Sequence, residues 1–156
     1  MKKTIFIFVC ALLISAHSFS QEKATWHTDV NKALEIALKG NKKVMFFFTG
    51  SDWCGWCIKL QKEVFDTNDF KEWATKVVLI ELDYPRRTAQ TDEIKAQNNH
   101  IQQMFGVRGY PTVLFVNPEK LSDGKINLNN LGKTGYVRGG SEKWLAVANS
   151  ILKKSI

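Results

Sequence analysis

This chain is poor in the residues that build metal centres, disulfide frameworks and membrane spans. Its 156 residues include three cysteines, three prolines and three histidines. So few cysteines exclude a disulfide-rich scaffold, which takes several pairs. A structural zinc site needs four nitrogen or sulfur ligands. Beyond the N-terminal Cys10 and His17, only Cys54, Cys57, His27 and His100 remain, and both histidines are remote in sequence from the cysteines. Covalent haem attachment needs a histidine directly after the second cysteine of a pair, where this chain has Ile58. No repeat, no low-complexity tract and no apolar run of the roughly 20 residues that span a bilayer occurs. The net charge is +7, but the excess is scattered over Lys39, Lys42 and Lys43, Arg86 and Arg87, and Lys153 and Lys154. Without a basic run interleaved with aromatics, nucleic-acid binding is not expected.

What the first residues do have is an export pattern. Lys2 and Lys3 precede an apolar run from Thr4 to Ala16, and Ser18-Phe19-Ser20 supplies small residues before Gln21. This reads as a secretory signal cut after residue 20. Val9 before Cys10 is too bulky for lipid attachment. The expected product is a periplasmic or secreted protein with no stable membrane insertion after processing. Removing residues 1–20 from 156 leaves 136, and 20 basic against 15 acidic side chains give +5. Residues 21–156 suit one domain around one core.

The two cysteines left after processing lie three apart, in Trp53-Cys54-Gly55-Trp56-Cys57. The apolar run Val44-Met45-Phe46-Phe47-Phe48 before them reads as a buried strand, and Ile58 to Phe65 after them as a helix. The first thiol thus sits at a helix N-terminus, among unpaired N–H groups and positive dipole potential. That setting favours thiolate, the reactive species. The second thiol, one turn on, is placed to close a disulfide with the first. As a mere staple the pair is poor, since a four-residue loop yields only about 2 kcal/mol in the loop-entropy model. Thiol–disulfide exchange is the better reading.

Elsewhere, Thr28 is expected to cap a helix with Val30, Ala33, Leu34, Ala37 and Leu38 on its apolar face, stopped by Gly40. Residues 21–26 read as a polar lead-in. Lys43–Thr49 and Val77–Leu82 read as strands, Asp69–Ala74 as a short helix, Tyr84–Thr91 as a polar loop and Asp92–Phe105 as a helix. Thr112–Val116 is a strand, followed by turn signals at Asn117-Pro118 and Ser122-Asp123-Gly124. One or two strands fit between Lys125 and Val137, and Ser141 is expected to cap a final helix carrying Trp144, Leu145, Ala148, Ile151 and Leu152. This order implies an α/β fold with a central mixed β-sheet and helices on both faces.

Taken together these pieces resemble the thioredoxin-like family. The resemblance rests on the strand leading into Trp53-Cys54-Gly55-Trp56-Cys57, on Val107-Arg108-Gly109-Tyr110-Pro111-Thr112 before a later strand, and on the glycine-broken tail before a C-terminal helix. It covers most of residues 26–154. Gly50-Ser51-Asp52-Trp53 with the cysteine pair looks like the exported bacterial thiol–disulfide interchange type. The resemblance implies a thioredoxin-like fold. Cys54 would be the exposed attacking thiol and Cys57 the more buried resolving thiol. Pro111 would be a cis-proline facing the pair, with the Tyr110 backbone pairing to a substrate segment like an added strand. Trp53 would wall the groove, and Gly55-Trp56 would tune the potential. Two departures stand out. Thioredoxins keep a buried carboxylate in the strand before the pair, yet positions 44–48 carry no acid; their lysine on the next strand is missing from Val77–Ile80. Glu63 and Glu81 are nearby in sequence, with neither placed at Cys57 by sequence alone.

The expected activity is therefore exchange of a Cys54–Cys57 disulfide with protein substrates, as a monomer, without cofactor or metal, and with a separate redox partner protein. Reduction of substrate is the favoured direction. Oxidation or isomerisation is the alternative within the same chemistry, and a non-catalytic peptide-binding module is the alternative outside it. A copper(I) carrier would use two thiolates, but no Met or His cluster adjoins the pair. Arg86 and Arg87 read as solvated loop in preference to a partner contact.

Overall fold

The computed structural model describes residues 24–153, so the signal expected at residues 1–20 lies outside the described residues. Five strands, β1 (Trp26–His27), β2 (Lys43–Thr49), β3 (Val77–Asp83), β4 (Thr112–Lys120) and β5 (Ile126–Thr134), form a central sheet in the order β1-β3-β2-β4-β5. Strand β2 (Lys43–Thr49) runs through the middle. It pairs in parallel with β3 (Val77–Asp83), with Phe47 opposite Glu81, and antiparallel with β4 (Thr112–Lys120). Its buried side chains on both faces explain the unbroken apolar run, since each face is covered by helices.

Period-two alternation divides β3 between the two faces. Val78, Ile80 and Leu82 pack with Val44, Phe46, Phe48, Leu114 and Val116 beneath α1 (Val30–Gly40) and α4 (Asp92–Met104). Leu79 points the other way, toward Met45, Phe47, Val113, Phe115 and the site helices. These are α2 (Gly55–Leu60), continued by a π-helical turn over Gln61–Phe65, α3 (Asn68–Ala74) and α5 (Gly140–Lys153). Glu81, next in alternation after Leu79, shares the face of the cysteines. No helix among the described residues is long and apolar enough to cross a membrane.

Several local expectations need correction. Asp29, not Thr28, caps α1 by accepting from the Lys32 N–H, and Asn41 rather than Gly40 takes the left-handed conformation at its end, with φ 49°. Trp26–His27 is not a plain lead-in but forms β1, paired in parallel with Leu79 and Ile80. Asn117-Pro118 is not a turn: β4 runs on to Lys120 opposite β5 (Ile126–Thr134). Proline is tolerated there because β4 pairs with β2 only up to Val116, which leaves one edge free beyond it. Ser141 lies inside α5, and its hydroxyl donates to Asp69.

Candidate active site

The cysteine pair begins where β2 ends. Gly50 turns the chain, and its carbonyl accepts from the N–H groups of Trp53 and Cys54 at 3.2 and 2.8 Å. A Cβ on Gly50 would lie 2.4 Å from the Trp53 indole, so glycine is required by close approach of the ring. Cys54 is the N-cap of α2, with extended backbone, and its Sγ accepts from the Cys57 N–H at 3.3 Å. The two sulfurs are joined in a disulfide. Cys54 is 7% exposed and Cys57 1% exposed, so the first cysteine is the one nearer solvent.

A second loop adjoins this one. The Tyr110–Pro111 peptide is cis. The Tyr110 ring meets Trp53 edge-on at 5.9 Å and stacks on Tyr84 at 5.0 Å. Burial raises the Tyr110 and Tyr84 phenols above their ordinary range, so both stay protonated. The Tyr84 hydroxyl donates to the Asn98 carbonyl. Trp53 is half-buried and fixed, since its Nε1–H donates to the Tyr84 carbonyl at 2.8 Å.

Sequence reasoning missed the frame around these residues. Asp52 accepts from the backbone N–H groups of Arg86, Arg87 and Thr88 at 3.0, 2.7 and 3.0 Å. Those hydrogen bonds, with that from Arg86 first, hold its carboxyl below the usual range. Ser51 donates twice to the Asp83 carboxylate. The Arg86 guanidinium lies 3.7 Å from the centre of the Trp53 ring, a cation–π stack. The polar loop is thus pinned to the site, and Arg86 is engaged rather than simply solvated. Only the Gly-Ser-Asp turn signal hinted at this, because the acceptors and donors lie more than thirty residues apart.

Of the two residues between the cysteines, Gly55 has open space where a Cβ would stand. Trp56 is 55% exposed and packs on Tyr136 at 5.1 Å, with Lys59 Nζ over both rings. The Tyr136 hydroxyl donates to Glu63, which raises the phenol's pKa, and Glu63 also pairs with Lys59. Glu63 therefore serves this outer ledge. Glu81 instead lines a cleft of about 780 Å³ together with Cys57, Phe47, Thr49, Trp26 and Gln61. Burial, and secondarily the nearby Asp83, raise its carboxyl above the usual value.

A buried cysteine pair, joined by a disulfide and capping a helix at the end of a central strand, is a thiol–disulfide couple; the class is thiol–disulfide oxidoreductase. A thioredoxin-like domain model matches residues 30–138, and the chain belongs to that family. Among curated proteins it is 32% identical over 123 residues to the disulfide bond reductase DsbH of Chlamydia pneumoniae, covering 78% of this chain and 69% of the relative. It is also 26% identical over 144 residues to the thioredoxin-related protein DsbJ of the same organism, covering 92% of this chain but 41% of that longer protein. Among solved structures, a DsbH oxidoreductase superposes with TM-score 0.75 at 29% identity, over 90% of this chain and 92% of the other. A thioredoxin from Thermus thermophilus, at 15% identity and TM-score 0.60 over 85% and 90% of the two chains, shares the fold.

Proposed function

We propose that this chain is an exported protein-disulfide reductase with Cys54 as nucleophile and Cys57 as resolving thiol. The observation that carries this reading is the position of Cys54 at the N-cap of α2, the more exposed of the two bonded cysteines, beside the Tyr110–Pro111 loop. Helix N–H groups and dipole stabilise a thiolate there. The similarity to a protein named a disulfide bond reductase supports the reducing direction. The Lys2-Lys3 and apolar N-terminal pattern supports export.

In the proposed cycle Cys54 thiolate attacks one sulfur of a substrate disulfide. A mixed disulfide forms and one substrate thiolate leaves, to be protonated by solvent. Cys57, having lost its proton, attacks Cys54 Sγ and expels the second substrate thiolate. The substrate gains two electrons and the protein keeps them no longer, ending as the Cys54–Cys57 disulfide. A separate donor protein then returns two electrons. The domain acts as a monomer on protein disulfides, with Trp53, Tyr110 and Pro111 flanking the substrate segment and Gly55-Trp56 setting the potential.

The test is the reduction potential of the mature domain in thiol buffers, paired with insulin-disulfide reduction. A value near about −270 mV with insulin turnover supports a reductase, whereas a value near about −120 mV makes the chain a disulfide donor. Trapping provides the role assignment: Cys57→Ser accumulates mixed disulfides through Cys54, and Cys54→Ser abolishes exchange. Undiminished exchange in Cys54→Ser defeats it.

A further inference from the structure

We infer that Glu81 is the proton acceptor for the resolving thiol of Cys57, acting across the cleft that both residues line. This rests on the two-step exchange described above. The chemistry demands such a group. Cys57 is 1% exposed in the oxidised form, and a thiol buried in apolar surroundings is reluctant to ionise. Strand β2, which leads to the pair, carries no acid: its residues on the cysteine face are Met45, Phe47 and Thr49.

The acids around Cys57 sort themselves by their partners. Glu63 is held by Tyr136 and Lys59 on the outer ledge. Asp83 accepts both hydrogen bonds from Ser51. Asp66, exposed, accepts from Gln61 Nε2. Glu81 is different: among the described residues its carboxylate makes no hydrogen bond and no ion pair. It projects from β3 on the cysteine face, opposite Phe47, into the cleft that Cys57 lines from α2. An open cleft of about 780 Å³, lined in part by Thr49, Ser51, Gln61 and Asp66, admits water, and one water can relay a proton between groups not in direct contact.

The surroundings suit a base. The other charged groups lining the cleft are Lys62 on the π-helical turn and Asp66 just after it, and Asp83, on Glu81's own strand, acts on Glu81 through its charge. From β1 and β2 only Trp26, Phe47 and Thr49 approach. Burial raises the Glu81 carboxyl, first by desolvation and then through Asp83, which brings it closer to the thiol in basicity. In the resolving step the Cys57 S–H proton passes to the Glu81 carboxylate. Cys57 thiolate forms the bond to Cys54 Sγ as the bond from Cys54 Sγ to substrate sulfur breaks. The substrate thiolate takes a proton from solvent, and Glu81 later releases its own to the cleft.

The reduced full domain, mixed in a stopped-flow instrument with 5,5′-dithiobis(2-nitrobenzoate), resolves the two steps. Attack by Cys54 releases one coloured thiolate, and ring closure by Cys57 releases the second. In Glu81→Gln we expect an unchanged first phase and a second phase about 100-fold slower near pH 6–7, the lower end of general-base contributions. The difference should vanish above about pH 9, where the thiol ionises unaided. Glu81→Asp should recover part of the rate with the low-pH limb restored. Superimposable second-phase pH profiles for wild type and Glu81→Gln overturn the inference, and so does equal slowing of both phases, which marks a structural role. Wild type that shows both phases but leaves insulin disulfides intact defeats the reductase reading while leaving Glu81's role standing.

Discussion

On the cysteine face of the sheet, Trp26, Phe47, Phe65, Phe70, Trp73, Phe115 and Trp144 pack ring against ring, with centroids 4.5 to 6.4 Å apart. On the opposite face, beneath α1 and α4, most contacts are aliphatic, from Val30, Leu34, Val78, Ile80, Leu82, Leu114 and Val116, with Phe46 and Phe48 the buried rings. Large rings have few rotamers and strong orientation preferences, each pair adding about 0.5–1.5 kcal/mol beyond its buried area. Aliphatic chains fill space with looser orientation. One face therefore holds α2 and its sulfurs in register over β2, while the other mainly covers the sheet. The difference teaches where this protein places its stiffness: under the group that must present a sulfur at a fixed point.

The sharpest way to break that contrast is Trp144→Ala. Trp144 is fully buried, touches Phe65, Phe70, Trp73 and Phe115, and donates to the Gly135 carbonyl at 3.0 Å. The expected loss is about 3–5 kcal/mol, read as a fall in the urea midpoint. Its counterpart is Leu34→Ala, which empties a site on the aliphatic face where Leu34 keeps 5% exposure. That loss should be about 2–3 kcal/mol, with the reduction potential unmoved. If Leu34→Ala shifts the potential as much as Trp144→Ala does, the division of labour between the faces is wrong.

Next in size is Gly50→Ala, which tests the fastening of Trp53 rather than the core. The added methyl meets the indole at 2.4 Å, so the ring or the turn must move. Overpacking of this kind costs about 1–3 kcal/mol. The Trp53 indole N–H, now bonded to the Tyr84 carbonyl, should lose protection in hydrogen exchange by NMR, and protein-disulfide reduction should slow. An indole that stays protected, with unchanged turnover, removes Trp53 from the proposed substrate groove.

Much of the fold was legible in the sequence because its signals are local. The run Val44–Phe48, the turn at Gly50-Ser51-Asp52 and the cysteine spacing located β2 and α2 without tertiary information. Three things were hidden for physical reasons. Strand β1 has two residues, too few to show any period, and exists only because β3 offers it an edge. Pro118 stands in a strand because β2 ends before reaching it, which no local pattern reveals. The cleft at Glu81 was masked by its own strand: Val77–Ile80 is buried on both faces, so the alternation that would assign Glu81 to one face is lost in an apolar run. Once β3 pairs with β2, register puts Glu81 opposite Phe47, and Phe47 packs on the face that carries Cys57.

The smallest expected effect concerns that same acid and is a matter of pH. The Glu81 carboxyl has its pKa raised by burial, while an unfolded chain restores the ordinary value near 4.5. A carboxyl with a raised folded-state pKa binds its proton more tightly when folded. Its stabilising contribution is therefore complete below the unfolded value and is lost as pH rises through the folded one. Glu81→Gln, neutral at every pH, lacks this dependence. Wild type should thus lose stability relative to Glu81→Gln as pH climbs from about 4.5, levelling off once Glu81 is ionised in the folded protein. Urea midpoints for both proteins at successive pH values give the curve. A gap that stays constant from pH 4 to 8 means Glu81 titrates as it would in water, and the aromatic face then imposes no desolvation on the acid beside Cys57.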